Sequence, residues 1–125
     1  MTQTARPRLS VVITCYNYAA FVADAIHSVL DQNQNVEIVV VDDCSTDTSR
    51  EVISSFGDRI TAVFQEVNQG HGAGFNKGFE STASDSELIM FLDADDFLLP
   101  GLCRDNSQQV RAQCRTLPLS YALRR

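Results

Sequence analysis

The chain has 125 residues, 44% of them hydrophobic, which suffices for one domain with a buried core. Its net charge of −6 argues against general nucleic-acid binding, and no stretch is apolar over the length of a membrane span. The four cysteines (Cys15, Cys44, Cys103 and Cys114) lack zinc-ligand spacing. We therefore expect reduced thiols, no secretory signal and a cytoplasmic location, with association at the inner face of the membrane as a variant.

Strands and helices alternate along the predicted chain, as judged from apolar runs and apolar periodicity. Thr48 and Glu51 fit a capping box at the start of the second helix, and Gly57 fits the position just past its end. In chain order we predict a strand at 9–15, a helix at 19–32, a strand at 36–41, this second helix, a strand at 60–65, a glycine-bearing loop at 66–74, a helix at 75–82, a strand at 87–92 and a polar helix after Pro100.

This alternation implies right-handed crossovers and an α/β fold. We expect a Rossmann-like, mainly parallel sheet with strand order 3-2-1-4 and flanking helices. The topological switch point then lies between strands one and four, so Tyr16, Asp43 and Asp95 come to one rim. No apolar strand follows strand four, and we expect its outer edge to pair with a second copy of the chain or to be covered by the tail.

Charge changes sign near Gly101. Residues 1–100 contain fifteen acidic and five basic side chains, whereas residues 101–125 contain five arginines and one aspartate. We therefore predict a folded binding domain at 1–101 and a basic tail at 102–125, helical or irregular.

Two acidic clusters directly follow strands two and four. Asp42 and Asp43 end the first run, and Asp93, Asp95 and Asp96 end the second. Carboxylates gathered at the carboxyl ends of strands repel one another, so they favour a hard divalent cation, which in turn holds a diphosphate. The alternative is a solvated, helix-capping turn, which suits Asp96. Capping does not require two aspartates after strand two, so at least one is expected to bind a ligand.

The segment after strand one carries two tyrosines. A ring at this position can stack on a planar base or cover the sheet, and we favour the first role for Tyr16 and the second for Tyr18. The glycine-bearing segment at 68–78 fits neither the dinucleotide nor the P-loop spacing. His71 and Lys77 within it are expected to be solvated.

Together these motifs resemble the donor-binding N-terminal half of family 2 glycosyltransferases, which have the GT-A fold. The resemblance runs from about Leu9 to Gly101, through SVVITCYNYAAFVADAIHSVLDQ, EIVVVDDCSTD, NQGHGAGFNKGF and LIMFLDADDFLLPG. It implies a nucleotide-diphosphate sugar donor, such as a UDP-sugar, with Mg²⁺ or Mn²⁺. The implied contacts are with the base (Thr14, Tyr16, Asp42 and Asp43), the ribose (Asp93), the metal (Asp95) and the diphosphate (Asn76 and Gly78).

The resemblance further implies inverting transfer of the sugar to a hydroxyl of a saccharide or lipid-linked acceptor. The family's general base lies beyond the D-x-D, and residues 102–125 contain nothing like it, so the catalytic base is unknown. Phe75 replaces a frequent arginine, and Cys44 replaces the glycine of the acidic turn. Two alternatives are a nucleotide-sugar-binding module without turnover and a receiver-like signalling domain. The latter requires an acidic pair after strand one, where Cys15 and Tyr16 stand.

Overall fold

The computed structural model describes residues 9–32, 36–84, 86, 88–98 and 122–124. The predicted tail and the predicted polar helix after Pro100 therefore lie outside the described residues, except for 122–124. The elements in chain order are β1 (Leu9–Cys15), α1 (Val22–Leu30), β2 (Val36–Asp42), α2 (Ser49–Ser54), a 3₁₀ turn (Gly57–Arg59), β3 (Thr61–Phe64), α3 (His71–Glu80), β4 (Leu88–Asp93) and β5 (Ala122–Arg124).

The sheet has the order β3-β2-β1-β4-β5, and its first four strands are parallel. The predicted order 3-2-1-4 is thus confirmed. The register pairs Cys15 with Asp42 and Thr14 with Asp93. Because β1 lies between β2 and β4, the two acidic clusters begin within one residue of each other along β1, on either side of its end.

The prediction that no strand follows β4 is wrong. Residues 122–124 form β5, which pairs antiparallel with β4 through Leu88↔Arg124, Ile89↔Leu123 and Met90↔Ala122. A three-residue strand has too little pattern to be recognised in sequence. The outer edge of β4 is covered by the end of the chain, which was one of the two expected outcomes for this edge.

Alternate residues of the strands pack on opposite faces of the sheet. Val11, Ile13 and Val40 join the larger core cluster, which includes α1 and Ile53 of α2. Val12, Val39, Val41, Ile89 and Phe91 face the other way, toward Phe75 and Phe79 of α3. Within the described ranges, no helix combines the length and the apolar character that crossing a bilayer requires.

Helix α3 begins at His71, four residues earlier than predicted, so Gly72 and Gly74 are helical rather than part of a loop. Each glycine in a helix costs about 1 kcal/mol relative to alanine, which made a loop the better prediction from sequence. Close packing of α3 on the sheet offsets this cost of helical glycines. Gly78 lies so close to β1 that a Cβ there would be 2.2 Å from Cγ1 of Val12. Gly78 therefore allows α3 to lie directly on the sheet.

Helix α2 starts after Thr48, as predicted, but the capping box is wrong because Thr48 makes no side-chain cap hydrogen bond. Asp47 instead accepts the Ser49 N–H at Oδ1, at 2.9 Å. Gly57 has a φ of +58°, so it supplies the left-handed backbone just after α2, one residue later than the predicted position.

Candidate functional site

The turn after β4 gathers three carboxylates. Oxygens of Asp93, Asp95 and Asp96 lie within 4.8 Å of one another, and the Asp96 N–H closes the turn on the Asp93 carbonyl at 2.9 Å. Asp93 is half-buried and the other two are exposed. Partial desolvation of its carboxyl group raises the pKa of Asp96, and the neighbouring charges of Asp95 and Asp93 raise it further. Closely spaced carboxylate oxygens suit Mg²⁺ or Mn²⁺, since a divalent cation relieves this repulsion.

The D-x-D motif is held from both sides by buried contacts. Ala94, between the two aspartates, is fully buried, and its N–H donates to the Thr14 carbonyl of β1 at 2.9 Å. The N–H of Leu98 donates to Oγ of Ser28 on α1 at 3.0 Å, while that hydroxyl donates to the Ala25 carbonyl at 2.7 Å. Helix α1 therefore fixes the exit of the acidic turn, a role for Ser28 that no sequence motif indicated.

A pocket opens beside this turn, where β1 and β2 end. Tyr16 stands at its rim and is 44% exposed, so its ring is available to a ligand. Oγ1 of Thr14 donates to Oδ1 of Asp93 at 3.3 Å, which links the pocket to the acidic turn. Burial raises the pKa of the Cys15 thiol in the wall. The pocket is lined by Thr14, Cys15, Tyr16, Tyr18, Val41, Asp43, Gly70 and Gly74.

Asp43 reaches the pocket and also anchors the loop between β3 and α3. Its Oδ1 accepts hydrogen bonds from Gln65 Nε2 at 3.1 Å and from the Gln69 N–H at 2.7 Å, and its Oδ2 accepts one from the Gly70 N–H at 3.0 Å. Charge-assisted bonds of this kind are stronger than neutral ones. The loop before α3 is thereby fastened to the end of β2. Gln65 lies outside the motifs found in the sequence, and Gln69, although it belongs to the NQGHGAGFNKGF motif, was not assigned this contact.

Asp42 is buried like Asp43, but it has no solvent exposure and a different set of partners. Its Oδ2 accepts the Ser45 N–H at 2.9 Å, and its Oδ1 accepts the Ser45 hydroxyl at 2.5 Å. Arg50 Nε lies 3.7 Å from Oδ2 as well. The carboxylate predicted to touch a base is thus used inside the protein, where it closes the turn after β2.

Cys44 keeps the backbone that a glycine would provide in this turn. Its φ is +63°, in the left-handed region, which costs a side-chain-bearing residue about 1–2 kcal/mol. The thiol donates to the Glu66 carbonyl at 3.4 Å. The departure from glycine therefore leaves the turn conformation intact.

The two residues expected near a diphosphate lie on different faces of α3. Gly78 is buried against Val12, so helix packing already accounts for its small size. Asn76 is exposed, and with Lys77 it lines a separate groove beside β3. Among the described residues, Asn76 and Gly78 are not in the lining of the pocket beside Tyr16. Phe75, at the position of the missing arginine, packs on Phe91 with 4.8 Å between ring centroids.

Comparison with known proteins agrees with this geometry. The glycosyl transferase family 2 model matches residues 10–106. An uncharacterized glycosyltransferase of Nostoc sp. is 48% identical over 98 residues, which cover 74% of this chain and 30% of that protein. The mannosyltransferase PcManGT of Pyrobaculum calidifontis, in complex with GDP-Man and Mn²⁺, superposes with a TM-score of 0.74 at 23% identity, over 85% of this chain and 32% of its own.

Residues 1–349 of S. aureus TarS, in complex with UDP-GlcNAc, superpose with a TM-score of 0.68 at 24% identity, over 86% of this chain and 30% of that segment. These structures share the GT-A fold, and that expectation is confirmed. The chain spans about a third of the length of the Nostoc relative, of PcManGT and of the TarS segment.

Proposed function

The chain belongs to glycosyl transferase family 2, and on that premise we propose that it forms the donor-binding part of a glycosyltransferase, holding a nucleotide-diphosphate sugar and a divalent metal. One observation carries the proposal. The aromatic-rimmed pocket and the three-carboxylate turn share one edge of the sheet, and the hydrogen bond from Thr14 to Asp93 joins them. A base, a ribose and a diphosphate would follow one another along this edge.

The proposed metal site is the turn after β4. Asp95, exposed and within 4.8 Å of its carboxylate neighbours, is the proposed ligand of Mg²⁺ or Mn²⁺, and Asp93 is proposed to hold the ribose. Asp96 belongs to the same cluster, although the sequence favoured a solvated role for it. Such an ion neutralises charge on a departing diphosphate. GDP-Man with Mn²⁺ in PcManGT supports this pairing of donor and metal.

The proposed base site is the pocket beside β1. The exposed ring of Tyr16 is proposed to stack on a base, and Thr14 and Asp43 are proposed as hydrogen-bond partners for the edge of that base. Asp42 belongs to the proposal indirectly: its buried carboxylate holds Ser45 and so shapes the turn that presents Asp43. For Asn76 and Gly78, contact with the diphosphate stays a prediction.

The proposed reaction is transfer of the sugar to an acceptor hydroxyl, with inversion at the anomeric carbon. A general base must take the proton of that hydroxyl while the diphosphate leaves. No residue of the described chain is assigned this role, and the acceptor is proposed to be a saccharide or a lipid-linked saccharide. A cytoplasmic location is part of the proposal, supported by the free thiols of Cys15 and Cys44.

Calorimetric titration with UDP, GDP and their sugar derivatives tests the metal site. In Mn²⁺, Asp95→Asn should weaken nucleoside diphosphate binding by more than about tenfold, or about 1.4 kcal/mol, because one metal ligand is lost. Asp58→Asn is the matched control, since Asp58 is an exposed carboxylate in the 3₁₀ turn. Equal affinity of wild type and Asp95→Asn, in Mn²⁺ and in chelator alike, would refute the metal site.

Two further measurements test the base site and the activity. Tyr16→Ala should cost about 1–3 kcal/mol of nucleotide affinity if the ring stacks on the base. Phe21→Ala is the control, because Phe21 is a comparably exposed aromatic residue in the same loop and outside the pocket lining. Tight nucleotide-sugar binding with neither transfer nor hydrolysis would favour the alternative of a binding module without turnover.

A further inference from the structure

Hydrogen bonds join the loop after β1 to the loop after β2. The Asn17 N–H donates to Oγ of Ser45 at 2.9 Å. The amide Oδ1 of Asn17 accepts the Thr46 N–H at 2.7 Å, and also the Thr46 hydroxyl and the Asp47 N–H, both at 3.3 Å. We call these four residues (Asn17, Ser45, Thr46 and Asp47) the loop clamp.

Further contacts hold the loop clamp on both sides. The backbone N–H and the hydroxyl of Ser45 both donate to the buried carboxylate of Asp42. Asp47 also contacts the loop after β1, because its Oδ2 accepts the Ala19 N–H at 3.1 Å. Burial alone would raise the pKa of Asp47, but hydrogen bonds from Ser49 and Ala19 lower it, so the carboxylate is charged at neutral pH. The two loops are thus linked in both directions.

The backbone at this junction is unusual as well. Among the described residues, the non-glycine positions with positive φ are Asn17, at +58°, and Cys44, at +63°, one in each loop. Asparagine tolerates the left-handed region better than most residues with a side chain. Such outliers persist where the surroundings fix them, and they concentrate at binding sites.

The exposure of the loop clamp argues against a role in stability alone. Asn17, Thr46 and Asp47 are exposed, and water competes for exposed hydrogen bonds, so their net contribution to folding is small. Their position is more informative. Tyr16 directly precedes Asn17, and Asp43 lies two residues before Ser45, so the clamp lies between the two segments that line the pocket.

We propose that Asn17 is a positioning residue for nucleotide-base recognition: by joining the loop after β1 to the loop after β2, the loop clamp fixes Tyr16 relative to Asp43 at the pocket that both residues line. The inference rests on the proposed function, and it assigns Asn17 no contact with the ligand. Asn17 acts on binding through Tyr16, so its effect should be confined to the base and should vanish when the ring is absent.

Two variants separate the amide from the backbone. Asn17→Gly keeps the left-handed φ but removes the acceptor Oδ1, and Asn17→Ala removes the acceptor and strains the backbone. Both variants should weaken UDP binding in Mn²⁺ at least about fivefold. This loss is within the range of interaction free energies found between residues in contact. Ser55→Ala is the control, since that hydroxyl donates to Val52 at the far end of α2. Binding retained by Asn17→Gly and lost by Asn17→Ala would show a purely backbone effect and overturn the proposal.

A double-mutant cycle with Tyr16→Ala decides whether Asn17 acts through the ring. In the Tyr16→Ala background, Asn17→Gly should weaken UDP binding by less than about twofold, whereas independent roles would give the full additive loss. Pyrophosphate with Mn²⁺ is the probe without a base, and its affinity should be the same in wild type and Asn17→Gly. Equal loss for pyrophosphate and UDP would overturn the proposal, because a merely loosened fold affects both.

Nucleoside diphosphate binding by the wild-type protein distinguishes failure of this inference from failure of the proposed function. Failure of the wild type to bind any nucleoside diphosphate overturns the proposed function, and the inference with it. Binding by the wild type together with additive variants overturns the inference alone. Amide hydrogen exchange checks the contact itself: Asn17→Gly should lose protection at the Thr46 and Asp47 N–H groups, with the protection of β1 unchanged.

Discussion

Replacing Gly78 with alanine should destabilise the protein, although alanine is the better helix former. Gly78 lies in α3, which packs over β1 and β2. An added Cβ would lie 2.2 Å from Cγ1 of Val12 and 3.2 Å from Cγ2 of Val41. Favourable carbon–carbon contacts begin near 3.5 Å, so the first distance is about 1.3 Å too short. Val12 is fully buried in a strand that pairs on both sides, so it has no room to move.

The magnitude follows from two opposing effects. Overpacking a core costs about 1–3 kcal/mol, and this clash belongs at the upper end, near 3 kcal/mol. Alanine recovers about 1 kcal/mol of helix propensity, so Gly78→Ala should lower the free energy of unfolding by about 2 kcal/mol. Gly72 is the matched control in the same helix: it is exposed, with nothing within 4 Å of its added Cβ. Gly72→Ala should raise the free energy of unfolding by about 1 kcal/mol.

Urea denaturation followed by far-UV circular dichroism measures both variants, with unchanged m-values as the check that both states are comparable. Equal stabilisation by Gly72→Ala and Gly78→Ala would refute the close approach of α3 to β1. The same pair also tests the predicted diphosphate contact. A Gly78→Ala variant with wild-type stability and weakened nucleotide binding would assign the glycine to the ligand rather than to packing.

Three further predictions follow from individual contacts. Iodoacetamide should label Cys44 in the native protein much faster than Cys15, because burial shields Cys15 and raises its pKa; equal rates in peptide mass spectrometry would contradict this. Ser28→Ala should leave the Leu98 N–H without its partner and so lower the free energy of unfolding by about 1–3 kcal/mol. The same variant should weaken Mn²⁺-dependent UDP binding, whereas the control Ser55→Ala should change neither quantity. Deleting residues 104–125 removes β5 and uncovers the edge of β4, so self-association measured by analytical ultracentrifugation should rise. The affinity for UDP should stay the same, and loss of UDP binding would place the tail in the donor site.

The sequence by itself determined the order of the four parallel strands and the edge of the sheet at which the candidate site residues gather. The apolar runs that end in Asp42 and Asp93 are long enough to predict buried parallel strands, and the expected order 3-2-1-4 of these strands is the one observed. Because carboxyl ends of parallel strands meet at one edge, the acidic clusters and Tyr16 could be assigned to a common rim before any coordinates. These features depend on local pattern and general topology, which the chain encodes directly.

Only the tertiary structure distinguished the two aspartates that follow β2 by their contacts. Asp42 and Asp43 are adjacent and chemically identical, yet one is buried on Ser45 while the other borders the pocket and binds the loop before α3. The start of α3, the hydrogen bond between Ser28 and Leu98, and the loop clamp at Asn17 likewise could not be predicted from the sequence. Each depends on contacts between residues distant along the chain, and such contacts have no periodicity or spacing that a single sequence can display.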